Sequence, residues 1–197
     1  MTVYGLDAAL AAALDYISAH PQARIAVDGR CAAGKSTFAA RLAQETGAAV
    51  FHMDDFFLRP EQRTPARYAE PGGNVDRERF AQEVLEPLRQ GRDVIYRPFC
   101  CASLTLGPER TVAYRPLTVV EGTYALHPAL RDVYDLKIML TADPSTQLRR
   151  LEKRSPAFLQ AFREKWIPLE EQYFSACAVE ACCALVADTS DSSCAHQ

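Results

Sequence analysis

Residues 25–37 read Ile25-Ala26-Val27-Asp28-Gly29-Arg30-Cys31-Ala32-Ala33-Gly34-Lys35-Ser36-Thr37. An apolar run ends in Asp28, a loop of small residues follows, and a helical pattern begins at Lys35. The spacing GxxxxGK[ST], between a strand and a helix, is the pattern of a loop that binds phosphate. Glycine at positions 29 and 34 fits this interpretation, because a residue without Cβ tolerates positive φ and lets the backbone approach a polyphosphate closely. The alternative is an ordinary glycine-rich turn between a strand and a helix.

The phosphate loop, residues 29–37, assigns a role to several of its members. The helix that begins near Lys35 would point its positive end and its unpaired N–H groups at the phosphates. Lys35 would add a positive charge beside the β- and γ-phosphates, and the Ser36 hydroxyl would bind Mg²⁺. We therefore expect the phosphate loop to bind a nucleoside triphosphate.

Length and composition are those of one globular domain. The 197 residues are 48% hydrophobic and 24% charged, which is typical of a soluble protein with a single substantial core. A net charge of −3 gives no broad basic surface, so nucleic acid is not an expected partner. No apolar stretch approaches the length of about 20 residues that a membrane span needs, so we expect no membrane association.

The cysteines and the N-terminal segment bear on localisation. The seven cysteines form no CxxC pair, and reduced thiols in a cytoplasmic protein fit this usage best. Residues 8–14 are small and apolar, but Asp7 and Asp15 flank them and no basic segment precedes them. A signal peptide has a different pattern. We therefore expect an amphipathic N-terminal helix and a cytoplasmic protein.

Helical and extended patterns alternate along the chain. Helices are predicted within residues 1–22, at 35–45 and 77–90, from Asp143 onward, and around 166–173. Further strands are predicted at 48–52, 93–97, 117–122, 136–140 and 184–186. Residues 59–73 predict a surface flap, residues 99–115 a hairpin, and residues 188–197 a disordered tail. The alternation predicts one α/β domain over residues 1–197, a parallel sheet with helices on both faces. Together with the GxxxxGK[ST] motif, it predicts the P-loop NTPase fold.

Acidic residues follow two of the predicted strands. Asp54 and Asp55 follow the strand at 48–52, and Glu121 ends the strand at 117–122. Right-handed crossovers would bring these residues and Gly29 to one edge of the sheet, where ligands bind in α/β proteins. Ser36 and one or two carboxylates could then hold Mg²⁺. Either acid of the Asp54–Asp55 pair could contact a metal-bound water or the acceptor hydroxyl, and the other could merely cap a turn.

The helix predicted after Asp143 carries Arg149, Arg150 and Arg154. These arginines could close over a phosphate during its transfer. They could equally form a solvated helix face.

Together these motifs resemble the uridine kinase, phosphoribulokinase and pantothenate kinase group of P-loop kinases, and most closely the bacterial uridine kinase-like proteins. The matching segments are GRCAAGKST at 29–37, DDFF at 54–57, NVD at 74–76, VVEGTYAL at 119–126, and the arginine pair that follows DPSTQL at 143–148. The similarity extends from about Arg24 to Phe174.

The resemblance implies a kinase that uses ATP and Mg²⁺ and phosphorylates the hydroxyl of a small molecule, in first place a nucleoside such as uridine or cytidine. It makes Asp54 the base toward that hydroxyl, with Ser36, Glu121 and Asp54 on the side of the metal. Lys35 and Arg150 would act on the phosphate, and Arg154 would complete a lid over the nucleotide. Phe57 would line the acceptor site, with Asp76, Tyr96 and Arg97 near it. A homo-oligomer is compatible with the resemblance.

Other readings stay open at this point. Phe57 stands where uridine kinases usually carry Tyr, and Phe99-Cys100-Cys101 stands where they carry His. Pantothenate, glycerate, ribulose phosphate and nicotinamide riboside are therefore alternative acceptors. A GTP-dependent switch would need an Asn/Thr-Lys-x-Asp segment, and residues 140–143 lack its lysine. A regulator that binds ATP without consuming it is the remaining alternative.

Overall fold

The computed structural model describes residues 2–190. A six-stranded sheet forms its centre, with the strand order β1-β10-β9-β2-β8-β3 and every neighbouring pair parallel. Its strands are β1 (Val3–Gly5), β2 (Arg24–Gly29), β3 (Ala49–His52), β8 (Thr118–Glu121), β9 (Leu136–Thr141) and β10 (Leu185–Asp188). The predicted fold class, a parallel sheet of the P-loop NTPase type, is confirmed.

Helices follow the strands in the predicted places. They are α1 (Leu6–Ala19), α2 (Lys35–Thr46), the short α3 (Pro65–Ala69), α4 (Arg77–Phe80, a π-helical turn Ala81–Leu85, and Glu86–Arg89), α5 (Pro144–Arg154) and α6 (Leu159–Ala161, a π-helical turn Phe162–Trp166, and Ile167–Ala176). Asp143 caps α5 by accepting the N–H groups of Ser145 and Thr146, with Pro144 in the first turn. The predicted cap is confirmed.

The central strand β2 has a core on each side. Successive side chains of a strand point to opposite faces, so Ile25 and Val27 pack with α1 and α2 while Ala26 packs with α4 and α6. Both faces of the sheet are therefore covered by helices. Asp28 continues the alternation on the side of Ala26, where a carboxylate is buried beneath α6.

Residues 94–112 form two antiparallel ribbons outside the central sheet. One pairs β4 (Val94–Tyr96) with β7 (Arg110–Val112), and the other pairs β5 (Phe99–Cys100) with β6 (Thr105–Leu106). The predicted hairpin is the second ribbon, which we call the β5–β6 hairpin. The flap at residues 59–73 is more ordered than its composition predicts, because it contains a turn of 3₁₀ helix (Pro60–Gln62) and α3.

Both ends of the chain differ from the prediction. The N-terminal segment contributes β1 to the sheet edge in addition to its helix. At the other end, Asp188 closes β10, and Thr189 is buried with its hydroxyl donating to the carbonyls of Ala33 and Thr141. The predicted disordered tail is therefore wrong for residues 188–190, because Asp188 pairs with β9, Thr189 bonds to the phosphate loop and Ser190 bonds to Asp143. Residues 191–197 lie outside the described part.

The edge of the sheet that carries the carboxyl ends is assembled as predicted. Strands β2, β8 and β3 are neighbours, and Glu121 pairs in register with Val27 on one side and His52 on the other. Gly29, Asp54 and Glu121 therefore lie at one edge although they are far apart in sequence. Among residues 2–190, every helix is too short or too polar to cross a membrane.

Candidate active site

The phosphate loop connects β2 to α2 through backbone conformations that favour small residues. Gly29 approaches β9 so closely that a Cβ there would lie 1.9 Å from the Leu140 carbonyl oxygen. Ala32 has φ 59° and Gly34 has φ 88°, both in the left-handed region. Position 29 requires glycine because any side chain would collide with the Leu140 carbonyl. Position 34 favours glycine because its φ is positive.

The carbonyl oxygens of residues 29–33 each accept a hydrogen bond from a side chain. The donors are the Lys35 ammonium and Thr123 hydroxyl for Gly29, Lys35 for Arg30, Gln147 for Cys31, Arg150 for Ala32, and the Thr189 hydroxyl for Ala33. The N–H groups of Ala32, Gly34, Lys35 and Ser36 have no partner among residues 2–190. Donors gathered in this way, at the start of a helix, form a site for an anion.

The Lys35 side chain is nearly buried and lies against the loop. Its Nζ donates to the carbonyl oxygens of Gly29 and Arg30, both at 2.8 Å, and to the Thr123 hydroxyl at 3.2 Å. Thr123 follows Glu121 and Gly122, so the loop and the end of β8 are joined through one lysine.

Two buried carboxylates support the loop from beneath, and sequence reasoning had assigned a role to neither. Asp28 accepts the N–H groups of Gly29 and Leu126 and the Tyr173 hydroxyl. Glu170, in α6, accepts the Cys31 N–H at 2.9 Å. Burial raises the pKa of both carboxyl groups, and the positive charge of Lys35 opposes the rise. The next residue, Glu171, pairs with Arg30 at 2.5 Å.

Glu121 is held at the end of β8 by a residue that was not predicted. His52 Nδ1 hydrogen-bonds to Glu121 Oε1 at 2.5 Å, and this bond raises the pKa of His52. The sequence contains a signal for this role of His52, because His52 ends the predicted strand at 48–52, two residues before Asp54. The pair fixes one oxygen of Glu121 and leaves its other oxygen for a further contact.

Asp54 follows β3 at the carboxyl edge of the sheet and has no hydrogen-bond partner among residues 2–190. Solvent reaches its side chain, yet crowding by the protein raises the pKa of its carboxyl, and the nearby Glu121 raises it further. Lys35 and Arg154 act in the opposite direction. Two carboxylates whose charges repel each other at this edge, together with the exposed Ser36 hydroxyl in the first turn of α2, are a donor set that fits a divalent cation.

Asp55 differs from Asp54 because it has partners. The Tyr96 hydroxyl donates to Asp55 Oδ2 at 2.9 Å, and Arg110 pairs with the same oxygen at 3.2 Å. Burial and this carboxylate raise the pKa of Tyr96 to about 12. Tyr96 and Asp55 therefore fasten the β4–β7 ribbon to the end of β3.

The two predicted lid arginines are placed differently. Arg150 donates to the Ala32 carbonyl at 3.2 Å and to the hydroxyl and carbonyl of Thr189 at 3.0 and 2.5 Å. Arg154, one turn later, is exposed, lies 6.0 Å from the Phe162 ring, and lowers the pKa of Asp54. Arg150 thus ties the loop to the end of β10, whereas Arg154 faces the carboxylate edge.

The remaining residues carried over by resemblance have framework contacts. Asp76 is buried, caps α4 through the Arg79 N–H, and accepts a hydrogen bond from Gln62. Arg97 donates to the carbonyls of Leu106 and Gly107 and so holds the β5–β6 hairpin. Phe57 is half-buried and bridges to Val75. Among these carried-over residues, Phe57 directly follows the turn Met53–Phe56, which contains Asp54.

Comparison with known proteins gives structural matches only. No family model matches the sequence, and no curated protein matches it. A possible uridine kinase from Bacillus stearothermophilus superimposes with a TM-score of 0.70 over 93% of this chain and 99% of that chain, at 19% identity. A protein from Thermus thermophilus covers 86% of this chain and 90% of its own, with a TM-score of 0.44 and 18% identity.

The first of these matches bears on the fold. It spans almost the whole of both chains, so the overall fold is shared. At this identity the similarity establishes architecture, and function has to be argued from the site. The chain therefore shares the α/β fold of this possible uridine kinase, with its central parallel sheet.

Proposed function

We propose that this protein is a kinase that transfers the γ-phosphate of ATP, in the presence of Mg²⁺, to a hydroxyl group of a small-molecule acceptor. The observation that carries the proposal is the position of Asp54 at the edge of the sheet where the phosphate loop and Glu121 follow neighbouring strands. Asp54 has no hydrogen-bond partner among residues 2–190, and it lies within electrostatic reach of both Glu121 and Lys35. A phosphoryl-transfer site needs donors for the phosphates, acids for a metal, and a base for the acceptor hydroxyl. All three kinds of group occur at this edge of the sheet.

The phosphate loop would bind the β- and γ-phosphates through its free N–H groups. Lys35 would exchange its contacts with loop carbonyls for contacts with phosphate oxygens. Ser36, Glu121 and Asp54 are the residues that would hold Mg²⁺, which neutralises charge on the phosphates when it is bound. His52 keeps Glu121 oriented for this task, because it occupies one carboxylate oxygen.

Asp54 would accept the proton of the acceptor hydroxyl. Its raised pKa makes it a better proton acceptor than an ordinary aspartate, provided that it is ionised when the acceptor binds. Arg154 would approach the phosphate from α5, and Arg150 would keep the loop closed against β10. The free thiols among the described cysteines, two of them exposed, agree with our proposal of a cytoplasmic enzyme.

An acceptor screen tests the proposal. ADP release from Mg·ATP is measured with uridine, cytidine, nicotinamide riboside, pantothenate, glycerate and ribulose 5-phosphate. We expect ADP release that depends on one class of acceptor. Acceptor-independent hydrolysis of GTP would instead support a switch, and tight binding of ATP with no turnover on any acceptor would support a regulator.

Glu121→Gln is expected to raise the Mg²⁺ concentration for half-maximal activity. Loss of even an outer-shell partner of a metal typically costs about 10-fold or more in metal affinity, and glutamine keeps the shape while removing the charge. The measurement is activity against Mg²⁺ at saturating ATP. Glu152→Gln, an exposed carboxylate of α5, is the control. An unchanged Mg²⁺ titration with full activity would assign Glu121 a purely structural role.

Glu170→Ala is expected to weaken Mg·ATP binding by about tenfold, which corresponds to ~1.4 kcal/mol. The reason is that the Cys31 N–H loses its acceptor and the loop loses a support. Glu170→Gln should bind nearly as well as the wild type, because an amide oxygen can accept the same bond. Glu171→Gln, which removes a half-exposed ion pair, should change the affinity little. Calorimetry distinguishes the three, and equal losses in all of them would contradict the account.

A further inference from the structure

Arg63, in the flap, is held in place by a hydrogen bond and an aromatic ring rather than by an ion pair. Its Nε donates to the Leu58 carbonyl at 3.0 Å, and its guanidinium lies 5.4 Å from the centre of the Phe99 ring. The side chain is half-buried. Among residues 2–190, no carboxylate pairs with it and its two terminal nitrogens have no hydrogen-bond partner. These nitrogens are not sealed in the interior, so a ligand can reach them.

The surroundings of Cys101 locate this guanidinium relative to Asp54. Burial and the charge of Asp54 raise the pKa of the Cys101 thiol, and the charge of Arg63 lowers it. One thiol, at the start of the turn in the β5–β6 hairpin, is therefore within electrostatic reach of both groups. Arg63 also binds the carbonyl that directly follows Phe57. It thus lies where the flap meets the hairpin, beside the segment that follows Asp54 in the chain.

Other arginines of this region already have partners. Arg59 pairs with Glu61 and donates to Gln62. Arg110 pairs with Asp55, and Arg97 donates to two hairpin carbonyls. Arg63 is the exception among these four. A guanidinium that is fixed through Nε and an aromatic ring presents its terminal nitrogens as a preorganised fork for a carboxylate or a phosphate.

We propose that Arg63 binds an anionic group of the acceptor, so that the substrate is a hydroxy compound carrying a carboxylate or a phosphate. The inference rests on the proposed kinase function and narrows its substrate class. It favours acids and sugar phosphates over the neutral nucleosides that the resemblance puts first. The anion would sit between flap and hairpin and thereby direct the hydroxyl toward Asp54.

The test uses acceptors in pairs that differ in the anion. Pantothenate is compared with panthenol, glycerate with glycerol, and ribulose 5-phosphate with ribulose, with uridine and cytidine alongside. For each compound, kcat/KM is obtained from ADP release. Equilibrium binding is measured by calorimetry on protein loaded with Mg²⁺ and a non-hydrolysable ATP analogue. The proteins are wild type, Arg63→Gln, Arg63→Lys and the control Arg59→Gln.

We expect at least one anionic compound to be preferred over its neutral partner in both measurements. Arg63→Gln should raise KM and Kd for that compound by about 10- to 100-fold and leave its neutral partner and Mg·ATP unaffected. Arg63→Lys, which keeps the charge but lacks the fork, should lose less. Arg59→Gln should behave as wild type. The carboxylate and phosphate arms identify which anion is bound.

The inference would be overturned if none of the three anionic compounds binds, or if their binding does not depend on Arg63. If uridine is phosphorylated under those conditions, the kinase proposal still stands. If no acceptor supports ADP release while an anion still binds through Arg63, the kinase proposal fails and the anion site remains. The two proposals can therefore fail separately.

Discussion

Asp54→Asn is expected to lower acceptor-saturated turnover by about 10²–10⁴-fold, the usual contribution of general-base assistance, while Mg·ATP still binds. Asparagine keeps the shape of the side chain and removes its ability to take a proton. A larger loss would implicate the metal site as well, since residues that act as a unit have non-additive effects. Single-turnover phosphate transfer and calorimetry with Mg·ATP measure the two quantities.

Asp55→Asn is the matched control for this experiment. Asp55 is already engaged by Tyr96 and Arg110, and an asparagine can still accept the Tyr96 hydroxyl. We expect a modest loss of activity, through a looser β4–β7 ribbon, and a small change in melting temperature. A dead Asp55→Asn enzyme beside a live Asp54→Asn enzyme would exchange the two roles and overturn the assignment.

Lys35→Ala is expected to lower turnover by about 10²–10³-fold, the range found when one donor to a developing charge is removed, and to weaken Mg·ATP binding. The sequence alone predicts that this change leaves the fold intact, because the lysine side chain is expected to face the ligand. The structure indicates that the change also destabilises the fold. Lys35 donates to two loop carbonyls, and its positive charge counteracts the rise in the pKa of Asp28 and Glu170. We therefore expect a lower melting temperature as well.

A second measurement separates the two effects of Lys35. In a folded Lys35→Ala sample, verified by far-ultraviolet circular dichroism, binding of Mg·ATP reports the phosphate contact alone. Lys35→Met, which retains the length of the side chain, should restore part of the melting temperature and none of the turnover. Wild-type affinity and turnover in either variant would show that the loop does not bind the triphosphate through this lysine.

The sequence was sufficient to predict the edge on which the site is built. Gly29 and Glu121 each end an apolar strand and Asp54 lies two residues beyond a third, and strand ends in a parallel sheet meet at one edge. The structure confirms the expectation because β8 lies between β2 and β3. Local patterns also gave the cap at Asp143 and the end of α2 before Gly47, which adopts φ 71°.

The support of the loop was not predictable, because its partners are remote. Glu171 is 141 residues from Arg30, and no periodicity marks Glu170 as the acceptor for Cys31. Asp28 offered a signal, since a carboxylate within an apolar strand must find hydrogen bonds or stay protonated. Thr189 falls in the polar segment 188–197, for which the sequence predicts disorder, and nothing in that segment marks the remote carbonyls that its hydroxyl contacts.

The acceptor side shows the limit of carrying residues over by resemblance. Asp76 and Arg97 match positions near the acceptor, yet their contacts here are a helix cap and two hairpin carbonyls. Arg63 matches none of the family motifs. The sequence does not distinguish it, because one arginine in a flap rich in arginine has no pattern of its own. Its position became informative only once the partners of its neighbours were known.

The central claim, transfer of phosphate to an acceptor hydroxyl at this edge, is tested most directly by following a labelled γ-phosphate. Wild-type and Asp54→Asn proteins are incubated with Mg²⁺, ATP labelled in its γ-phosphate, and the best acceptor from the screen, and the products are separated. We predict that the label appears in a phosphorylated acceptor with wild type and is lost by about 10²-fold or more with Asp54→Asn. Label found only in free phosphate, or equal transfer by both proteins, would contradict the account.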